Sequence, residues 1–201
     1  MQTLLHIKSS IFGDHGQSSL LATTFIKQWK ELHSDGQVLT RDISAEPLPH
    51  FDAKHIEALM TDKEQRTAEQ QLQVDLADQL IQEVKSASAI LIAVPMYNFG
   101  IPSQLKAYFD RLARAGETFK YTETGPIGLI DDKPVYLLAT RGGLYHDAGV
   151  DFQVPFVKQF FAFLGLTSAH TIYAEGLNME SVKDDSLTKA KQQISTYLSQ
   201  N

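Results

Sequence analysis

Three short segments of this 201-residue chain concentrate residue types suited to holding a ligand. The first is Ser9-Ser10-Ile11-Phe12-Gly13-Asp14-His15-Gly16-Gln17-Ser18-Ser19, with four serines, a glutamine and two glycines. Hydroxyls and backbone N–H groups at the start of a helix bind anions, because the first turn has unpaired donors and carries the positive end of the helix dipole. A phosphate can sit there without a lysine. The loop matches neither Gly-x-x-x-x-Gly-Lys-Ser/Thr nor Gly-x-Gly-x-x-Gly, so ATPase chemistry and the usual dinucleotide fingerprint lose support. The plainer alternative is that the serines cap a helix and form turns.

The second segment, Val94-Pro95-Met96-Tyr97-Asn98-Phe99-Gly100-Ile101-Pro102, places a methionine, two aromatics and an amide after an apolar run. That is an unusual composition for a turn facing water. It suits a flat conjugated ring, with Asn98 and nearby N–H groups bonding its heteroatoms; packing beneath the next helix is the alternative. The third, Thr140-Arg141-Gly142-Gly143-Leu144-Tyr145-His146, has adjacent glycines that let the backbone approach a ligand and bond a ring carbonyl. Arg141 fits either a ligand contact or a brace paired with a carboxylate. Tyr145 and His146 follow the glycine pair as hydrogen-bond donors that could serve a reacting oxygen, or His146 could be a solvated loop residue.

Other chemistries find no support. With no cysteine there is no disulfide, thiolate nucleophile or Cys-held iron–sulfur cluster, so redox chemistry must come from a bound cofactor. The seven histidines (His6, His15, His33, His50, His55, His146 and His170) show no metal-ligand spacing, and no metal is expected. No Gly-x-Ser-x-Gly elbow is present, which argues against a Ser-His-Asp hydrolase. The balance of 18 Lys+Arg against 24 Asp+Glu, a formal charge of −6, argues against sequence-independent nucleic-acid binding. The N-terminus has no charged region leading into a long apolar run, and no 18 apolar residues follow one another. The expectation is a soluble, cytoplasmic protein with no membrane partner. The pairs Asp131-Asp132 and Asp184-Asp185 read as surface features of turns or helix starts.

The elements that must position these loops alternate. Leu4–Ile7 reads as a buried strand, followed by a helix striped by Leu21, Phe25, Trp29 and Leu32 with Ser18 or Ser19 as its N-cap. Val38–Ile43 reads as a second strand, and residues 50–67 are ambiguous. A long helix carries Leu72, Leu76, Leu80 and Val84 on one face. The runs 89–94 and 135–139 lack polar alternation, as strands covered on both faces do. Between them lie a helix with Leu105, Phe109 and Leu112 and a stretch from Glu117 to Gly128 that suits a hairpin or lid. A helix over 151–164, a strand over 171–174 and a helix with Leu187, Ala190, Ile194 and Tyr197 complete the chain. Five alternations predict a parallel sheet with helices on both faces, in one domain spanning residues 1–201. Ligands of such sheets bind outside the carboxyl ends of the strands, where the three loops lie.

The runs Lys8-Ser9-Ser10, Gln17-Ser18, Pro95-Met96-Tyr97-Asn98-Phe99, Ala113-Arg114-Ala115-Gly116, Thr118-Phe119-Lys120-Tyr121-Thr122-Glu123, Arg141-Gly142-Gly143 and Ala174-Glu175-Gly176 resemble, in order, the bacterial FMN-dependent NADH-azoreductases, or NADH:quinone oxidoreductases. The resemblance covers nearly the whole chain. It implies a flavodoxin-like, doubly wound five-stranded parallel sheet of order 2-1-3-4-5, tightly held FMN, and a homodimer with two active sites at its interface. The implied activity is ping-pong, two-electron transfer from NADH through FMN to quinones, aromatic azo compounds or nitroaromatics, with protection against electrophilic quinones as its role.

By the same resemblance Ser10, Gly16, Gln17 and Ser18 hold the FMN phosphate. Pro95, Met96, Tyr97, Asn98 and Phe99 meet the ring, with Thr140, Arg141, Gly142 and Gly143 on its pyrimidine side. Met60, Phe119, Tyr121, Tyr145 and Phe163 form the substrate pocket, Phe119 and Tyr121 reaching in from a partner subunit. The flavin carries the redox step, so no side chain is a covalent catalyst. Three departures from the family pattern stand out. Gly16 replaces a frequent serine, Met60 stands where some relatives have arginine, and Tyr145 where some have histidine. The competing classes are a flavodoxin-like electron carrier, against which the aromatic-bearing 117–128 segment speaks, and a phosphate-ester hydrolase on the same fold.

Overall fold

The computed structural model describes residues 1–200. In chain order the elements are β1 (Thr3–Lys8), α1 (Gln17–Leu32), β2 (Gln37–Asp42), α2 (Ala53–Met60), α3 (Ala68–Ser86), β3 (Ala89–Pro95), α4 (Ser103–Leu112), β4 (Phe119–Thr122), β5 (Gly125–Gly128), β6 (Val135–Thr140), α5 (Gln153–Leu164), β7 (Ala169–Ala174) and α6 (Glu180–Ser199). Five strands pair in parallel in the order β2-β1-β3-β6-β7, which is the expected 2-1-3-4-5.

The absence of polar alternation in β3 and β6 has a direct consequence. Successive side chains of a strand point to opposite faces, so a strand that is apolar throughout feeds two cores. Ile90, Ile92 and Val94 join Val135, Leu137 and Ala139 against Leu80 and Val84 of α3, Leu105 and Phe109 of α4 and Val157 and Phe161 of α5. Leu91, Tyr136 and Leu138 face the other way, against Leu21, Phe25 and Trp29 of α1 and Ala190 and Ile194 of α6. Within the first core Phe109 stacks on Phe160 at 4.4 Å and meets the edge of Phe161 at 5.4 Å, which locks α4 to α5.

The structure departs from the sequence reading at four places. Helix α1 begins at Gln17 with Gly16 as its N-cap and no side-chain cap bond, so Ser18 and Ser19 lie inside the first turn. Leu32 and Leu72 are exposed although each continues an apolar stripe. Leu32 ends α1, and the inward face of α3 is Val74, Ala77, Leu80, Ile81 and Val84 instead. Strand β2 is a half-exposed edge, and Ile43 is buried just beyond it. The ambiguous stretch contains α2, capped by Asp52 accepting from the His55 N–H, and a single turn at Lys63–Gln65.

The 117–128 segment is an antiparallel hairpin of β4 and β5. Its base is tied to the body by the Leu129 N–H donating to the Thr118 carbonyl and the Ile130 N–H donating to the Leu164 carbonyl. Asp132 is exposed as expected but is also a bracket, accepting from the backbone N–H and hydroxyl of both Thr167 and Ser168. Partial burial opposes the charge, and those four bonds outweigh it, holding the carboxyl down at about 2. No helix among the described residues is long and apolar enough to cross a membrane.

Candidate cofactor site

The loop after β1 is anchored before it turns: the buried Ser9 hydroxyl donates to the Ala93 carbonyl of β3 at 2.7 Å. Ser10, 1% exposed, accepts from the Phe12 N–H at 3.3 Å and lies 3.4 Å from the Tyr97 hydroxyl. The Ser19 hydroxyl closes the loop by donating to the Gly13 carbonyl at 2.7 Å. A Cβ on residue 16 would come within 2.1 Å of Ser10 Oγ, so the glycine leaves room for the Ser10 hydroxyl. The outcome is a helix N-terminus with no side-chain cap, beside the Ser18 Oγ, which is buried and has no partner among the described residues. An unsatisfied buried hydroxyl is costly, and an anion accepting from it and from the first-turn N–H groups would satisfy both.

Beyond β3 the Met96 N–H still donates to the Thr140 carbonyl, continuing the ladder by one residue. Tyr97 and Gly100 then exchange reciprocal N–H···O bonds, each 3.0 Å. They enclose Asn98 at φ 50° and Phe99 at φ 66°. Two successive positive φ values define a mirror-image tight turn, whose usual occupants are Asn-Gly. Asparagine accepts the first position readily, but phenylalanine in the second costs about 1 kcal/mol or more, and such strain persists only where surroundings over-determine it.

Arg141 makes the brace that one of its two readings requires, while its Nε and Nη1 are buried without a hydrogen-bond partner among the described residues and the residue lines the cleft that these loops enclose. Buried to 1% exposure, the guanidinium donates from Nη2 to Asp151 Oδ2 at 2.8 Å, lies 3.8 Å from Glu175 Oε1 and sits over the Tyr173 ring at 5.3 Å. Burial, followed by the Asp151 carboxylate, pushes the Tyr173 phenol up to about 12, so it stays protonated. Glu175 also accepts from the Tyr145 and His146 N–H groups, and the Asn178 N–H donates to the Gly142 carbonyl, so the glycine loop is fixed from behind. A Cβ on Gly142 would lie 2.4 Å from Asn178 Nδ2.

These loops enclose a cleft of about 340 Å3 lined by Ser10, Gly16, Gln17, Ser18, Pro95, Met96, Tyr97, Thr140, Arg141 and Gly142, together with Phe12, Leu177 and Asn178. Asn98, Phe99 and Gly143 belong to the same loops and lie outside that lining. Phe12 meets the Tyr97 ring edge-on at 6.2 Å, and Phe99 meets Tyr145 the same way at 5.9 Å. The residues expected to line a substrate pocket are not gathered in one cavity of this chain. Met60 is 81% exposed at the end of α2, and Tyr121 is 75% exposed on the hairpin. Phe119 is buried against Phe163, with ring centres 4.4 Å apart. His146 is half-exposed beside Asp147 and Tyr173. Leu177 and Asn178 were not anticipated, although they directly follow the Ala174-Glu175-Gly176 run at the carboxyl end of β7.

Residues 2–198 match a family described as having the flavodoxin-like fold. An FMN-dependent NADH:quinone oxidoreductase of Cellvibrio japonicus (strain Ueda107) is 55% identical over 194 residues, covering 96% of this chain and 97% of that protein. The chain belongs to this family. A second relative, the FMN-dependent NADH:quinone oxidoreductase of Marinomonas sp. (strain MWYL1), is 47% identical over 96% of this chain and 98% of its own. The crystal structure of azoreductase from Bacillus anthracis str. Sterne matches with a TM-score of 0.90 at 30% identity, covering 100% of both chains. An FMN-dependent NADH-azoreductase from Bacillus anthracis str. Ames Ancestor, in complex with FMN, matches with a TM-score of 0.88 at 26% identity over 98% of this chain and 100% of its own.

Proposed function

We propose that this chain is an FMN-dependent NADH:quinone oxidoreductase that also reduces aromatic azo compounds. Beside the family relationship, the observation that carries the reading is the cleft, in which an uncapped helix start and an unpartnered buried Ser18 hydroxyl meet an apolar, aromatic turn. Those two ends suit the phosphate and the ring of one molecule. Ser10, Gln17 and Ser18, with the α1 N-terminus, would hold the phosphate; Met96 and Tyr97, with Asn98 and Phe99 next to them in the turn, would hold the ring; Gly142 and Gly143 would offer it backbone N–H groups. The Arg141 guanidinium is paired with Asp151 and lies 3.8 Å from Glu175, and the phosphate end of the cleft is built of dipoles and hydroxyls.

When bound, FMN supplies two-electron hydride transfer from NADH to a quinone or azo acceptor. The protein's part is to fix the ring, stabilise charge through fixed N–H dipoles and keep water out. Donor and acceptor take turns in the same opening, which makes the kinetics ping-pong; nitroaromatics fit the same opening. The exposed Met60 and Tyr121 support a homodimer in which the hairpin of one subunit roofs the cleft of the other. The physiological place is the cytoplasm and the role is removal of electrophilic quinones without one-electron products. The test is the visible spectrum of the purified protein before and after incubation with FMN. A yellow, stoichiometric FMN complex supports the reading, and a colourless protein that cannot be loaded contradicts it.

A further inference from the structure

The Asn98-Phe99 turn holds the only two non-glycine residues with positive φ among the described residues, and it needs support from outside itself. That support comes from Gln153, the first residue of α5. Its Nε2 donates to the Pro95 carbonyl at 2.8 Å and to the Gly100 carbonyl at 2.9 Å, one on each side of the turn. The side chain is 2% exposed, and its Oε1 is buried with no partner. The orientation of the amide follows from its neighbours: turned over, it would set an oxygen against two carbonyl oxygens. An acceptor left unsatisfied is costly, and apolar filling would be the cheaper choice if only packing were required. The start of α5 is itself fixed, since Asp151 accepts from the Gln153 and Val154 N–H groups and from the Arg141 guanidinium that roots the glycine loop. One buried polar unit therefore joins the two loops on either side of the ring site.

We infer that Gln153 is a positioning residue for flavin binding, its amide holding the Pro95 and Gly100 carbonyls so that Met96, Tyr97, Asn98 and Phe99 keep their ring-binding shape before the cofactor arrives. The inference rests on the placement of the FMN ring at this turn.

The test measures dissociation constants of FMN and of riboflavin, by flavin fluorescence, on full-length protein freed of bound flavin. Riboflavin carries the ring without the phosphate. Gln153→Leu is expected to weaken both flavins by the same factor, about tenfold, or about 1.4 kcal/mol. Ser18→Ala is expected to weaken FMN alone. Gln153→Glu supplies a second readout on a single folded protein. Near pH 8 its carboxylate opposes two carbonyls and both flavins bind weakly, whereas below about pH 5.5 the protonated acid donates to one carbonyl and affinity recovers several-fold. Asp151, Arg141 and Glu175, the charged groups behind Gln153, are present in the wild type too, whose affinity over the same range is the reference. Riboflavin affinity equal to wild type in both variants, or a Gln153→Glu profile parallel to wild type, overturns the inference while leaving the site reading intact. Wild-type protein that binds neither flavin contradicts the site reading and this inference with it.

Discussion

Asn98 occupies a left-handed position in a turn that faces the cleft, and its backbone and its amide can be tested apart. Asn98→Gly keeps the backbone conformation and removes the amide; Asn98→Ala removes the amide and also strains the turn by about 1 kcal/mol. Both variants should bind FMN about tenfold more weakly, and only the alanine variant should unfold at lower temperature. Titration of flavin fluorescence with a parallel melting curve checks this, and unchanged affinity in both would mean that the amide does not meet the ring. The loops that line the cleft were legible at this scale, since Met96 and Tyr97 follow a buried strand in a composition unusual for a water-facing turn. The choice of Ser10, Gln17, Ser18 and Gly142 within their loops came from the family resemblance. The roles of Asp151 and Gln153 were not legible, since each acts on a loop far away in sequence, through distances that only the fold sets. Arg141 could not be decided for the same reason.

At the scale of elements, the connections carry as much order as the helices and strands they join. Lys133, just before β6, donates from Nζ to the carbonyls of Val84, Lys85 and Ala87 at 3.0, 2.8 and 2.8 Å, closing the end of α3 that α3 itself leaves unpaired. Burial lowers its pKa, but the ammonium has three carbonyls to receive its three protons. Lys133→Met should cost about 2 kcal/mol by leaving those carbonyls without a charged donor. Urea unfolding checks it: a lower midpoint at unchanged slope is expected, and an unchanged midpoint would mean that water replaces the lysine. The sequence revealed β3, β6 and α4 well, because burial on every side leaves a composition no other placement explains. It misplaced the start of α1 for a physical reason. Serines commonly cap helices, but here the backbone turn at Gly16 brings Ser18 and Ser19 into the helix, where one bonds the preceding loop and the other faces the cleft. The apolar spacing of Leu32 and Leu72 was real, but both side chains stay exposed, Leu32 at the last position of α1 and Leu72 near the start of α3.

The whole molecule should be sensitive to acid in two stages. His6 is buried, and burial, then the Lys8 ammonium, lower its pKa from 6.5 to about 4. Its Nε2 has no partner among the described residues to offset a charge. A proton is therefore taken up by the unfolded chain first. The stability His6 contributes is complete above its unfolded value and falls by about 3 kcal/mol as the pH drops from about 6.5 to about 4. Asp42 and Asp132, both held near 2, lose their contributions only below the ordinary carboxylate range. His6→Leu should make the first stage shallower, the buried His55 and the partly buried His170 still adding to it in the same direction, and leave the second, as followed by urea unfolding at a series of pH values; profiles parallel to wild type would contradict it.

The cleft, the family and the anion-ready helix start converge on one activity, and steady-state oxidation of NADH by FMN-loaded protein with a simple benzoquinone tests it most directly. The account predicts turnover that depends on both NADH and quinone, with parallel lines in double-reciprocal plots as donor and acceptor are varied. A fully loaded protein that does not oxidise NADH in the presence of quinone would contradict it, leaving a flavin-binding module without the enzyme.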